Sequence, residues 1–264
     1  MLLFIRFDLN DYIETLGGHP QIATPHIQYL AESGASFINA FSSSPGCAPS
    51  RTSMLAGKDV FYTKVYNNND YNNAFRENFN EEKGNAVVFT LPEILKDSGG
   101  YYTYAINKVF HNPDKNDFDK VTGDPCAKKQ SWNQMQNFDD TPLFDSMATN
   151  YGFLNGAFGW GSIPDSLERF MEDYRATDTA ALFFRNVANG TYDICSRPFF
   201  MCIGYSKPHA DLYIPEKYFS PFYKNDFSFS ADYVSDTLFN NPADAFPYKG
   251  IVLPPQPDVV WEDY

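Results

Sequence analysis

The segment Ser44-Pro45-Gly46-Cys47-Ala48-Pro49-Ser50-Arg51-Thr52 gathers the chain's sharpest chemical signal. Cys47 stands just ahead of an expected helix, where free backbone N–H groups and the helix dipole favour an anion, and Arg51 follows about one turn later. A sulfur or its derivative at such a position is poised for nucleophilic chemistry. A structural cysteine beside a capping serine fits the position equally well, and the segment alone does not choose. His209, in Ser206-Lys207-Pro208-His209, directly follows the continuous apolar run Phe199 to Tyr205. A polar residue at the carboxyl end of a buried strand has to be satisfied or used. Asp8 is placed similarly after the run Leu2-Leu3-Phe4-Ile5. Lys108 and His111, in Lys108-Val109-Phe110-His111, read by themselves as a surface lysine and a loop-capping histidine. His19 and His26 read as structural, and Asp11 as a loop brace.

The elements that must position these residues read as strand then helix, repeated, which points to an α/β fold with a mainly parallel sheet flanked by helices. Strands are expected at Leu2 to Phe7 (buried), Ala35 to Phe41, Tyr101 to Ile106 and Phe199 to Tyr205. Thr24-Pro25 should open a helix that Gly34 closes, with Ile27, Leu30 and Ala31 on one face. Thr90-Leu91-Pro92-Glu93 is a capping-box sequence ahead of a short helix to Lys96. From Pro164, Leu167, Phe170, Met171 and Tyr174 recur at helical spacing toward Phe184, so their aromatics are expected in the core. Asn67 to Asn85 should be a long surface loop. Asp8, Cys47, His111 and His209 should then converge at the carboxyl edge of the sheet, within one domain spanning 1–264.

Composition narrows the partners. Lys+Arg number 20 against 33 Asp+Glu, a formal charge of −13. An acidic chain lacks the basic face that phosphate-driven nucleic-acid or anionic-membrane binding needs. Its apolar runs fall far short of a membrane span, so a soluble globule is expected. Met1 opens directly on the first strand, and no export signal is read there. The four cysteines show neither a CxxC pair nor zinc spacing. Cys202, inside an apolar run, reads as a small buried hydrophobe. Cys126 and Cys195 sit in polar loops where an oxidising compartment would allow pairing. Asn189-Gly190-Thr191 is a glycosylation sequon of low specificity.

Cys47-Ala48-Pro49-Ser50-Arg51 matches the C-x-P-S-R signature of the type I sulfatases. The chain resembles the iduronate-sulfatase-like branch of that family more widely, through Asp8-Leu9-Asn10-Asp11, Thr24-Pro25-His26-Ile27, Phe37-Ile38-Asn39-Ala40, Thr90-Leu91-Pro92, Lys108-Val109-Phe110-His111 and Lys207-Pro208-His209 in order. The resemblance implies an alkaline-phosphatase-like fold and a sulfuric ester hydrolase acting on a sulfated saccharide or another sulfate ester. It implies that a formylglycine-generating enzyme oxidises Cys47, and that Ca²⁺ or Mg²⁺ is bound by Asp8 and the modified Cys47. Arg51 would then stabilise the formylglycine, Lys108 and His111 would hold nucleophile and sulfate oxygens, and His209 would serve the leaving-group oxygen.

Two departures from the family pattern bear on activity. Phe7 stands where the family has a carboxylate ahead of Asp8, with Arg6 at a usually apolar position. The family's later Asp with His or Asn, and a further Lys, have no counterpart here. The expectation is an N-terminal portion of the catalytic domain, its C-terminal part missing, with an incomplete metal site and little or no turnover. The alternative is a catalytically inactive sulfatase-like protein that binds anionic glycans or a partner protein. A phosphohydrolase of the same superfamily has no need of the modification signature. Arg51→Ala is expected to leave the fold largely intact.

Overall fold

The computed structural model describes residues 1–6, 9, 13–69, 89–111, 131–138, 149–154, 158–194, 196–209 and 212–219. Asp8, Phe7, Asp11, Cys126, Cys195 and all but the first residues of the Asn67–Asn85 segment lie outside these. The chain divides into two compact units, one of residues 1–7, 41–141 and 169–207, the other of residues 8–40, 142–168 and 208–264.

The first unit is built on a parallel sheet. Its strands β1 (Leu2–Arg6), β2 (Tyr102–Asn107), β3 (Gln134–Gln136) and β6 (Phe199–Tyr205) lie in the order β1-β6-β2-β3. β6 is central, pairing Met201 with Leu2 on one side and with Tyr104 on the other. Alternate side chains go to opposite faces of a strand, so Phe200 and Cys202 join Ala105, Val109 and Trp132 in one buried cluster. Met201 and Ile203 join Tyr102, Tyr104 and Ile106 in the other. Helix α2 (Cys47–Ala56), followed by the one-turn α3 (Val60–Thr63), and α4 (Leu91–Asp97) belong to the first side, and α5 (Glu172–Ala188) covers the second through Ala176, Ala180 and Phe183. Burial on both faces explains why β6 reads as a continuous apolar run.

α4 forms as its sequence directs. The Thr90 hydroxyl accepts the Glu93 N–H at 3.3 Å, and the Glu93 carboxylate accepts the Thr90 N–H at 3.3 Å. Thr90 also shares a hydroxyl–hydroxyl hydrogen bond with Ser131. β3 owes its place to buried polar pairing: the Thr103 N–H donates to Asn133 Oδ1 at 2.9 Å, and the Asn133 N–H to Thr103 Oγ1 at 3.1 Å. The Gln-Met-Gln string of β3 carries no such signal.

Three expectations need correction. Residues 35–41 form no strand; Phe37, Ile38 and Phe41 are 83%, 77% and 89% exposed, and aromatic or β-branched content holds a strand only where a ladder partner receives it. Among the described strands β1 lies at the edge of its sheet, with Leu2 and Phe4 exposed and Ile5 buried. The helical run from Pro164 is broken: a 3₁₀ turn covers Asp165–Phe170, Met171 is extended as the N-cap of α5, and Phe170 and Tyr174 are exposed. Leu167 and Met171 are buried, and past the break the buried stripe runs through Ala176, Ala180 and Phe183.

The second unit holds α1 (Pro25–Glu32) and a separate sheet of β4 (Thr149–Leu154), β5 (Phe158–Ile163) and β7 (Leu212–Pro215) in the order β4-β5-β7. β4 and β5 are antiparallel, β5 and β7 parallel. Thr24 is the N-cap of α1 but turns its side chain elsewhere, exchanging hydrogen bonds of 3.1 Å with Glu14. No residue of α1 is buried, including the expected Ile27, Leu30 and Ala31 face. After β7, in α6 (Glu216–Phe219), Lys217 Nζ meets Glu168 Oε2 at 2.6 Å and the Tyr218 hydroxyl donates to Glu168 Oε1 at 2.8 Å. Burial raises the Glu168 pKa, but these two donors outweigh it and hold the carboxyl below its ordinary value.

Candidate active site

α2 starts at Cys47 because the chain ahead of it is tied down. Gly46 is the extended N-cap, and its N–H donates to Ser44 Oγ at 3.3 Å. The Ser42 hydroxyl donates to the Ser44 carbonyl at 2.6 Å and lies 2.6 Å from Ser50 Oγ. With its single hydrogen used, Ser42 must accept from Ser50. Pro49 falls in the first turn, where a missing N–H loses nothing. The Ala48 N–H, one of the orphan donors of the helix start, goes to Asn68 Oδ1 at 3.0 Å. Cys47 is a free, half-buried thiol at the positive end of this helix. Gly57, left-handed at φ 61°, closes α2.

Arg51 joins this helix to the loop after β2. It is 3% exposed, and its Nη1 donates to the carbonyls of Lys108 and Val109, the latter at 2.8 Å. The turn that presents these carbonyls begins at Asn107, which is buried in the left-handed conformation at φ 61°. Asn tolerates that region better than most residues. Its Oδ1 accepts the Phe138 N–H at 3.3 Å, and the Val109 N–H closes the turn on the Asn107 carbonyl at 2.9 Å. Gly204, on the neighbouring strand β6, makes room: a Cβ there would stand 2.0 Å from the Lys108 carbonyl oxygen.

The structure therefore brings Cys47, Arg51, Lys108 and His111 into the first unit, on one helix and one loop that Arg51 ties together. Lys108 and His111 directly follow the carboxyl end of β2, and Ser206 and Lys207 that of the adjacent β6. His209 belongs to the second unit, and Asp8 is outside the described residues. Sequence reasoning missed Asn68, Asn107 and Gly204. A glycine inside an apolar strand is a usable signal of close backbone approach. Asn68, within an Asn-rich stretch, gives none. Cys202 is buried, and burial pushes its thiol far above the ordinary value, consistent with an inert hydrophobe.

Among the described residues no group of three or more His, Cys, Asp or Glu side chains could hold a metal ion. The polar groups fixed around the start of α2 are hydroxyls, an amide and a guanidinium, a set richer in donors for an anion than in ligands for a hard cation. These residues do not by themselves fit a divalent cation.

A parallel sheet with a helix that starts at a half-buried cysteine, and with polar loops at its carboxyl edge, defines the class: this is the alkaline-phosphatase-like α/β fold. The phosphonate monoester hydrolase of Agrobacterium radiobacter shares it, with a TM-score of 0.57 at 16% identity over 86% of this chain and 44% of that one. The Sulfatase family profile matches residues 8–238, and the chain belongs to that family. It is 29% identical to a sulfatase of Formosa agariphila over 98% of this chain and 48% of that protein. It is 26% identical to the iduronate 2-sulfatase of Mus musculus over 83% of this chain and 36% of that protein. The chain thus spans about half or less of the length of these curated relatives. Among the described residues no helix is long and apolar enough to cross a membrane.

Proposed function

We propose that this chain carries the nucleophile half of a sulfuric ester hydrolase, acting on a sulfate ester such as a sulfated saccharide, through a formylglycine derived from Cys47. The observation that carries the reading is Cys47 at the first position of α2, within an intact C-x-P-S-R string whose Arg51 is locked to the Lys108–Val109 loop. A hydrated aldehyde at position 47 supplies one hydroxyl to attack the ester sulfur and a second whose collapse expels sulfate. The chain's own groups do the rest. The N-terminus of α2 stabilises negative charge on the attacking oxygen. Arg51 holds the loop that presents Lys108 and His111 to the sulfate oxygens, and His209 donates a proton to the departing oxygen. The family's divalent cation would draw on Asp8 and the modified residue 47, and would supply positive charge beside the attacking oxygen. We take 1–264 as part of one catalytic domain.

Phe7, in place of a carboxylate, favours a second reading, a family member that binds sulfated glycans or a partner without turning them over. The test is to co-express the chain with a formylglycine-generating enzyme and weigh the Cys47 peptide, then assay a chromogenic aryl sulfate. Conversion of the thiol to the aldehyde, with at most a weak turnover that is lost in Cys47→Ala, is the expected result, the incomplete carboxylate set impairing the reaction. An unmodified thiol in material from the native host would overturn it.

A further inference from the structure

β1 and β6 run parallel, with Arg6 opposite Tyr205 at their carboxyl ends. Asp8 follows Arg6 by two residues, and His209 follows Lys207 by two. The first unit ends at Phe7 on one strand and at Lys207 on the other, so both candidate site residues lie just past a point where the chain leaves it. One carboxylate serves both strand ends. Asp173, in the first turn of α5, accepts the Ser206 N–H on Oδ1 at 2.7 Å and the Lys207 N–H on Oδ2 at 3.0 Å. Arg6 Nη2 lies 3.9 Å from the same Oδ2, and Arg6 Nε donates to the Lys207 carbonyl at 3.3 Å. The peptide groups of Lys207 are thereby held from two sides, N–H by Asp173 and C=O by Arg6. The Arg6 guanidinium is itself seated over the Tyr205 ring, 5.3 Å from its centroid.

We propose that Asp173 is a positioning residue which, with Arg6, fixes the backbone from which Lys207-Pro208-His209 departs. Two features argue against simple surface pairing. The Asp173 side chain is only 15% exposed, and its two oxygens take two consecutive backbone donors, a geometry that specifies one chain course. Burial raises its pKa despite those donors and Arg6, so the charge is kept at a cost to stability that an apolar residue would avoid. The proposal also accounts for Arg6, a charged residue at the end of the otherwise apolar strand Leu2–Arg6. That the clamp serves a catalytic histidine rests on the sulfuric ester hydrolase reading; that it fixes the Ser206–Lys207 peptides does not.

Amide hydrogen exchange on the whole chain tests the clamp without need of activity. Asp173→Asn keeps the side-chain shape but offers one acceptor for two donors. Its Ser206 and Lys207 amides should exchange on the order of 10-fold faster, about what losing one such hydrogen bond implies, while a β2 peptide from 102–107 keeps its parent rate. Arg6→Gln, at a more exposed position, should speed the same amides less, and should add little in the Asp173→Asn background. It decides the matter if Asp173→Asn does not fold. Unchanged exchange at 206–207, or acceleration only in step with the β2 peptide, would overturn the proposal. A catalytic readout separates positioning from mere structure. Across aryl sulfates, the loss in kcat for Asp173→Asn should grow as the leaving phenol becomes more basic, because those substrates depend most on a placed proton donor. An equal loss across the series would overturn the positioning role. Absence of turnover in the modified parent counts against the hydrolase reading, and the exchange result still decides the clamp.

Discussion

Arg51 shows how a residue can belong to a chemical signature and to the fold at once. Its side chain is buried and donates to two carbonyls of the Lys108–Val109 turn, so the expectation that Arg51→Ala spares the fold does not hold. Truncation strands two buried acceptors and opens a void, and should cost about 3 kcal/mol. Urea unfolding of Cys47-bearing chain, with and without the substitution, measures this as a lowered midpoint at constant slope. The C-x-P-S-R string was legible as chemistry, but the partner of its arginine was not, because a backbone carbonyl has no signature in sequence. Asp173 was illegible for a similar reason: its two acceptors meet N–H groups, which every non-proline residue has. Its pH behaviour follows from a pKa raised by burial. The folded state binds the Asp173 proton more tightly than the unfolded state, so this contribution is full below the ordinary carboxylate pKa and is lost as pH rises through the raised value. Asp173→Asn cannot ionise. Its unfolding free energy relative to the parent should therefore improve as pH rises from below the ordinary carboxylate pKa through the raised value, which denaturation at each pH would read. A difference that moves the other way would show that the backbone donors outweigh desolvation.

At the scale of elements, what could be read in advance is what local chemistry dictates. The capping box at Thr90 and Glu93 forms, and Thr90→Ala should destabilise by about 1–2 kcal/mol, toward the upper end because Ser131 also loses its partner. Thermal unfolding of that variant beside Ser131→Ala would apportion the two hydrogen bonds. β6 coincides with the expected Phe199 to Tyr205, since burial on both faces writes itself into the sequence as an unbroken apolar run, and the aromatic β2 lies within a residue of its expected ends. Residues 35–41 carry the same apolar character and form no strand, because a ladder needs a neighbour and sequence does not name one. β3 is the converse case, a polar tripeptide made a strand by the buried Thr103–Asn133 exchange beside it.

The whole molecule combines a strong negative charge with exposed aromatic side chains. At its isoelectric point near 4.6 the charge repulsion that keeps copies apart disappears. Phe37, Ile38 and Phe41 then become the natural points of contact, at 83%, 77% and 89% exposed. Replacing all three with Ser should reduce light scattering of the chain between about pH 4 and pH 5 while changing the unfolding free energy by less than about 1 kcal/mol. A large loss of stability would mean that these side chains are buried in solution.

The pairing of β1 with β6 also sets a clock. Leu2 lies opposite Met201, so β1 leaves a ribosome well ahead of β6 and has to wait for it before it meets its neighbour. At synthesis rates of about 5–20 residues per second that wait is roughly 10–40 s. Local segments such as α4 with β2 collapse in microseconds to milliseconds by comparison. β2 and β3 can pair, and α5 can form, while Leu2-Leu3-Phe4-Ile5 still has no ladder to join. The edge position of β1 suits this order, because an edge strand can be added last to a sheet that is already built. For the newborn chain the cost is a sticky strand held open until β6 arrives, the interval in which a chaperone would have the most to shield.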